Sequence, residues 1–573
     1  MMSSSATDTG CGAAPRTEPA RGGAAAGTGR RRRAPCAWLR RRLTAVTVVV
    51  LLVQMAAAMV TTAVQQTPTI DEPVYAGTAV VYAQQHDLRY NPEHPPLGKL
   101  IIAGGLVLAR PHLDPGFTGN QSALGRELLY GSGDDPGRLL LWARLPVIAL
   151  TLLTGLVVFA FARDLTGSAG GLVALALYTF SPDVVAHGSL ATLDLATAAF
   201  LLLTVWLLWR ARRRPRLLSL AGAALGAALA TKMSVLAAVP VLLCLVVVTL
   251  WSARRPSPGL RDRARVLGLG LLAAAGVALI AVAVVWAAYL AVDPRLRWTT
   301  PASVPHVRGT RGLIAHWLPF PRPYRDGLRI QFGFEYGEWE GFLLGRHYHG
   351  ALWYYLPVAL LIKTPLGALA LWTAGSLALL AVPRLRPAAP YVLVPPVVLL
   401  AAAMPGARDL GVRYALFVPV FLAVAAAGTA AVRPRWTRAA ALVLVLYAAV
   451  SSALTFPFYL PYSNEAFGGT PRTHLVLHDS NVDWGQDLGR LAEHLRRCCP
   501  GQRVWLVYKG SGVPSFYGIR WADPREAPPG SVHGLLVVSD SAAAKAEGRL
   551  AALLRTSRRV DEVGHSIGIY RRP

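Results

Sequence analysis

Apolar residues along this chain come in long unbroken blocks, not in the short periodic patterns of half-buried helices and strands. Eleven blocks are predicted as membrane-spanning helices: 43–64, 138–162, 168–185, 190–209, 217–231, 233–251, 266–290, 352–381, 389–404, 412–431 and 437–456. A helix needs about 20 apolar residues to cross the hydrocarbon core, and the block 217–231 falls furthest short. The stretch LGKLIIAGGLVLAR, 97–110, is apolar but short, which suits an interfacial or re-entrant helix. Three polar segments separate or follow the blocks: 65–137, 291–351 and 457–573. The last alternates strand-like runs (RVWLVYKG, 503–510; HGLLVVSD, 533–540; HSIGIYRR, 565–572) with a helical run, Gln486–Arg497, and reads as a small α/β domain. Residues 1–42 are rich in Ala, Gly, Ser, Thr and Arg without apolar periodicity and read as a disordered basic segment before an uncleaved anchor.

Basic clusters orient the blocks. With the N-terminus cytoplasmic, the inside loops carry Arg210 to Arg216 (five Arg), Arg254 to Arg265 (five Arg), Arg384 with Arg386, and Arg433 to Arg438 (three Arg). The three polar segments then lie outside, and 457–573 becomes an extracytoplasmic domain of a multi-pass plasma-membrane protein.

Composition agrees. Of 573 residues 53% are hydrophobic and 16% charged, and the net charge is +27; soluble proteins carry about 25% charged residues. The positive charge sits in short loops between apolar blocks, so it does not indicate nucleic acid. Lysine is scarce, with Lys99, Lys232, Lys363, Lys509 and Lys545 the only five. The five cysteines include no C-x-x-C, which removes zinc-ribbon and thioredoxin-like readings.

Ionisable groups at membrane depth mark function by default, and several fall on the outer side of this topology. Asp71 and Glu72 follow the first block. Arg144 lies about two turns inside the second. Asp194 lies one turn inside the fourth, and Lys232 sits between the fifth and sixth. His94 and Lys99 flank the Pro95-Pro96 corner of the first outside segment. Carboxylates beside cations at one membrane face suit a substrate with a polar head at the interface and a tail in lipid. An Asp could take a proton from an attacking hydroxyl, and a Lys or Arg could stabilise a phosphate leaving group. Simpler roles compete: Asp71-Glu72 as a helix cap, Asp194 as an interfacial anchor, His94 as a turn residue. Lys363 reads as snorkelling or binding a lipid phosphate, and Trp353-Tyr354-Tyr355 as an aromatic belt. Asp483, Trp484, Gln486 and Asp487 form either a sugar-binding patch or a helix start. These residues alone leave enzyme and transporter both open.

A series of motifs narrows this: DEPVYAGTAVVYAQ with EHPPLGKL, ARLPV, SPDVVAHGSLATLDLA, GAALATKMSVL, GALWYYLPVALLIKTPL, GVRYALFVPVF, SNEAFGG and HDSNVDWGQDLGRL. In this order they resemble the phospholipid carrier-dependent glycosyltransferases of the GT-C fold, a group that includes protein O-mannosyltransferases and aminoarabinose transferases. The resemblance implies a polytopic α-helical membrane protein and an enzyme that moves a sugar from a polyprenyl-phosphate donor to an acceptor hydroxyl, with inversion. It implies Asp71 as general base, with Glu72 and Asp194 as further acidic residues of the site. It also implies Lys232, Arg144 and Arg413 on the donor phosphate, and His94 in a pocket-shaping loop with Lys99 beside it. Protein, lipid or cell-wall glycan could accept the sugar. The resemblance leaves room for a divalent metal, for which Glu72 and His94 offer two ligands, although the sequence holds no evident metal cluster. The alternatives are a lipid-linked sugar flippase, which usually shows repeated halves, and a non-catalytic envelope assembly protein.

Overall fold

The computed structural model describes residues 34–573 apart from 529. Residues 47–573 form one compact unit. Helix α1, Ala34–Gln65, begins inside the stretch 1–42 expected to lack structure; residues 1–33 lie outside the described residues. Next come α2 (Glu72–Gln85), α3 (Leu97–Ala109), the single turn and a half α4 (Gln121–Arg126) and the long α5 (Pro136–Thr166). Then follow α6 (Ser168–Thr179), α7 (Pro182–Gly188), α8 (Asp194–Ala211), α9 (Leu217–Thr231), α10 (Val239–Arg254) and α11 (Leu260–Val292).

The segment 291–351 holds α12 (Gly309–Trp317), α13 (Arg322–Phe334) and an antiparallel hairpin, β1 (Glu340–Leu343) with β2 (Arg346–His349). Helices α14 (Tyr355–Lys363), α15 (Leu366–Ala381), α16 (Ala389–Ala403), α17 (Phe417–Ala426) and α18 (Arg435–Thr455) complete the bundle.

All eleven predicted blocks are helical, but they are not eleven equal spans. Among the described residues seven helices are long and apolar enough to cross a membrane, and two bent pairs bring the number to nine. Two shorter apolar helices, Leu217–Thr231 and Phe417–Ala431, account for the other blocks. The pair α6–α7 bends by 62° and α14–α15 by 116°. Proline explains both places: Pro182 and Pro365 lack the N–H that would continue the ladder. A break leaves carbonyls that lipid cannot satisfy. At the second break Asn464, from SNEAFGG, serves them: its Nδ2 donates to Leu361 O (2.6 Å) and Thr364 O (2.9 Å), and its N–H to Ile362 O (2.9 Å).

Helices approach closely where side chains are absent. A Cβ on Gly375 of α15 would stand 2.3 Å from the carbonyl oxygen of Ala425 in α17. Outward-facing apolar residues such as Val49, Val53, Leu271, Leu272, Leu279 and Leu454 remain exposed, as expected of surfaces that meet lipid rather than water.

The C-terminal region adds α19 (Leu488–Cys498), β3 (Val504–Val507), β4 (Trp521–Ala522), β5 (Gly534–Ser539), α20 (Asp540–Ala544), α21 (Gly548–Arg555), β6 (Arg558–Val563) and β7 (Ile567–Arg572). Its five strands lie in the order β4-β3-β5-β7-β6. β3 is parallel to both neighbours, and the β5–β7–β6 side is antiparallel. The three strands expected from the sequence are β3, β5 and β7. β6, sequence RRVDEV, lies at the sheet edge, where charged residues discourage pairing with another chain and also hide the strand from an apolar search.

Candidate active site

The ends of α1 and α9 and the starts of α8 and α17 bring four charged groups to one face of the bundle. Asp71 precedes α2 but makes no capping hydrogen bond, so the helix-cap reading does not describe it. Its Oδ2 instead accepts from Arg413 Nη1 at 2.5 Å, and a quarter of its side chain remains exposed. Asp194, the first residue of α8, pairs with Lys232 in the break after α9. A carboxylate at a helix N-terminus also meets the positive end of the helix dipole.

Aromatic rings bind these pairs together. The Arg413 guanidinium lies 4.4 Å from the Trp484 ring centroid and 5.0 Å from that of Tyr414, and Lys232 Nζ lies 5.2 Å from Tyr414. Cations over aromatic faces gain roughly 0.5–2 kcal/mol. Tyr75 is buried beside both acids. Its hydroxyl is held well above the usual range, by burial first and then by the charges of Asp71 and Asp194. His94 is held well below its ordinary value, by burial and then by Lys232, Lys99, Arg408 and Arg413; it stays neutral at physiological pH.

The sequence did not single out His187, Tyr75 or Tyr414. His187, at the end of α7, is fully buried with both ring nitrogens unpartnered, and its ring lies 6.0 Å from Trp484. His187 sits seven residues before Asp194 within SPDVVAHGSLATLDLA, a lone histidine with no spacing pattern to mark it.

Two residues expected in the chemistry, Arg144 and Glu72, are held within the scaffold instead. Arg144 and Glu72 are both fully buried. Arg144 donates to Glu72 Oε1 (2.7 Å) and Oε2 (2.6 Å), to Ala63 O (2.6 Å) and Gln66 O (2.9 Å), and to Thr67 O (3.2 Å). All five N–H groups of a guanidinium are thereby used, leaving none for a donor phosphate. Glu72 also accepts from Thr69 N, Thr69 Oγ1 and Ala191 N. Burial alone would raise its carboxyl, but Arg144 and these donors hold it below the usual range. Glu72 is therefore a permanent anion that joins the end of α1, the start of α2 and the turn before α8, not a partner in proton transfer. Lys99 is likewise buried and donates to Asn91 O (2.8 Å), Asn91 Oδ1 (3.1 Å) and His94 O (2.8 Å), which fixes the loop carrying His94.

A metal on Glu72 and His94 does not fit this arrangement. Both Glu72 oxygens are already saturated by donors, and His94 faces several cations.

The tail motif HDSNVDWGQD forms the wall behind Asp71 and Arg413. Ile70 N donates to Trp484 O (3.0 Å) and Thr67 N to Gln486 O (3.0 Å). Asn481 Oδ1 accepts from Val412 N (3.0 Å), and Ser480 Oγ donates to Leu410 O (2.6 Å). Gly411 between them has φ +145, and a Cβ there would meet Ser480 Oγ at 2.1 Å; only glycine allows this approach. Asp483, Trp484, Gln486 and Asp487 are all nearly fully buried, so they form no open sugar-binding patch. Lys363 does not snorkel either: it is fully buried and donates to Leu460 O (2.5 Å) and Asn481 O (3.0 Å), with Asp183 at 3.3 Å. Of the three expected belt aromatics, Trp353 and Tyr354 are exposed, but Tyr355 is buried under Asn481.

One carboxyl in this wall makes stability depend on pH. Burial pushes Asp483 up to about 7. An unfolded Asp releases its proton near pH 4, so between roughly pH 4 and 7 the folded state binds the extra proton and stability falls as pH rises. Asp483→Asn is expected to flatten the decline of the melting midpoint across that window; an unchanged profile would remove Asp483 as its source.

Residues 48–293 match the family model described as dolichyl-phosphate-mannose-protein mannosyltransferase. No curated protein sequence matches the chain. Among solved structures, the ArnT of Cupriavidus metallidurans bound to undecaprenyl phosphate is 14% identical, with 91% of this chain and 97% of that chain covered and a TM-score of 0.47. The Saccharomyces cerevisiae protein O-mannosyltransferase Pmt1-Pmt2 complex bound to the sugar donor is 18% identical, covering 43% and 33%, with a TM-score of 0.33. The oligosaccharyltransferase AglB of Archaeoglobus fulgidus, in complex with an inhibitory peptide and a dolichol-phosphate, is 11% identical, covering 86% and 69%, with a TM-score of 0.41. The family match takes in Asp71, Asp194 and Lys232, and with it the chain is a polytopic membrane glycosyltransferase that draws on a lipid-carried sugar donor.

Proposed function

We propose that this enzyme transfers a sugar from a polyprenyl-phosphate donor to an acceptor hydroxyl on the outer membrane face, with inversion at the anomeric carbon. Asp71 is the general base. Of the two site carboxylates it is the more open, and its contact with Arg413 engages Oδ2, which leaves the other oxygen for a substrate proton. That openness, beside the two pairs Asp71–Arg413 and Asp194–Lys232, carries the reading.

The acceptor oxygen attacks the anomeric carbon, its proton passes to Asp71, and the bond from that carbon to the phosphate oxygen breaks. The electron pair leaves with the polyprenyl phosphate. Lys232 and Arg413 stabilise that anion. Each cation is already paired with a carboxylate, so the arriving phosphate exchanges partners: as it takes Arg413, it releases Asp71 to act on the acceptor. The outer-face placement rests on the Arg-rich loops at the opposite ends of the helices.

The deciding experiment uses the purified full chain in proteoliposomes. It is given a panel of radiolabelled polyprenyl-phosphate sugars and a total cell-envelope acceptor extract. Label moving into extract from one donor is the expected result. If no donor yields transfer, while donor and acceptor are shown to be intact, the proposal fails. Lys232→Ala is expected to lower kcat/KM for the donor by about 10²-fold. An unchanged value would remove Lys232 from the phosphate.

A further inference from the structure

The hairpin β1–β2 and the helix α21 meet far along the chain from each other, and their meeting point concentrates imidazole and carboxylate. Residues two apart on a strand share a face. His347 and His349 accordingly stand side by side on β2, with ring centroids 5.1 Å apart. Glu547, the residue before α21, faces both. Its Oε1 lies 3.3 Å from His347 Nδ1 and 4.0 Å from His349 Nε2. One donor atom from each of the three residues lies within 4.8 Å of the other two.

We propose that His347, His349 and Glu547 form a Zn2+ site that ties the hairpin of segment 291–351 to the C-terminal α/β region. Two imidazoles and one carboxylate are a borderline-soft donor set that suits zinc, with water in the fourth position of a tetrahedron; calcium and magnesium favour oxygen alone. Ion pairing is the weaker account of the same geometry. As ion pairs, the two rings would have to stand as adjacent cations against one carboxylate. A divalent ion accepts both rings in their neutral form.

The outer neighbours fit as well. Glu340 is the cross-strand partner of His349, and its Oε2 lies 4.0 Å from His347 Nε2. That nitrogen is buried and has no hydrogen-bond partner. A carboxylate behind a ligating imidazole fixes its tautomer and orientation. Between the two histidines, Tyr348 donates its hydroxyl to Asp409 Oδ2 at 2.8 Å, four residues before Arg413. The ion would therefore brace the strand that holds the Arg413 loop.

The test uses the untagged full chain in detergent, stripped with a chelator and then titrated with Zn2+ alone against a fluorescent zinc indicator. Co2+ is added in parallel as a spectroscopic probe. Wild type is expected to bind one equivalent of zinc and to show the visible bands of tetrahedral cobalt. His349→Ala and Glu547→Gln alter largely exposed side chains, so the fold survives them; each is expected to weaken zinc binding by about tenfold or more. Zinc is also expected to slow hydrogen exchange across 340–349 in wild type and not in the variants. No zinc bound by wild type, or equal affinity in the His347→Ala/His349→Ala double variant, would overturn the site. The readouts are binding and exchange, so a failure of the glycosyltransferase reading leaves them untouched.

Discussion

Asp71→Asn is expected to cut sugar transfer by about 10²–10⁴-fold, the usual contribution of a positioned general base, with expression and melting midpoint close to wild type. The carboxamide nearly preserves shape but cannot take the acceptor proton. Little stability is at stake, because the side chain is partly exposed and makes no cap. The Asp71–Arg413 pair is also lost, so Arg413 becomes free for phosphate. Donor binding should hold or tighten while kcat falls. That split between kcat and KM separates a base from a residue that merely positions the donor. Equal transfer by wild type and variant would end the assignment.

Arg144→Met is expected to fail in the opposite manner: the protein accumulates poorly, and what remains melts several degrees lower. Removing one partner of a buried ion pair typically costs about 3–5 kcal/mol, because the other charge stays buried and uncompensated. Here Glu72 would keep its backbone donors but lose its counterion. Three carbonyls at the end of α1 would lose theirs as well. The double variant Glu72→Gln/Arg144→Met should recover part of the loss, since no naked anion remains. A double-mutant cycle on melting midpoints measures that coupling. A phosphate-binding role predicts a stable Arg144→Met protein with a weakened donor interaction, so the two roles give opposite results.

Hydropathy made the helical blocks legible, because lipid demands long apolar runs whatever packs around them. It could not show the breaks. Pro365 and Pro182 were visible as letters, but the 116° bend depends on Asn464 reaching back to satisfy carbonyls about a hundred residues away. The charged residues followed the same rule. Asp71, Asp194 and Lys232 stood out because ionisable groups are rare at such positions, whereas Arg413 came only with the resemblance carried by GVRYALFVPVF. Whether a charge faces substrate or another charge is set by long-range partners, and so Arg144 and Glu72 were assigned to chemistry when they are braces. His187 escaped because a single histidine carries no spacing pattern. The tail motif misled in a third way: its Asp, Trp and Gln look like a sugar-binding surface, but backbone hydrogen bonds to residues 67–70 bury them.

Those backbone bonds have a consequence for biogenesis. Ile70 and Trp484 are joined directly, though more than four hundred positions of chain separate them. Translation delivers Asp71 early and leaves its rear wall missing until ribosomes have passed the 480s. A nascent polypeptide, even with every helix inserted, thus presents Asp71 without its backing and Arg413 without the Trp484 indole. For the same reason a foreign tail grafted after residue 456 would remove the wall behind Asp71 and Arg413 rather than exchange an accessory.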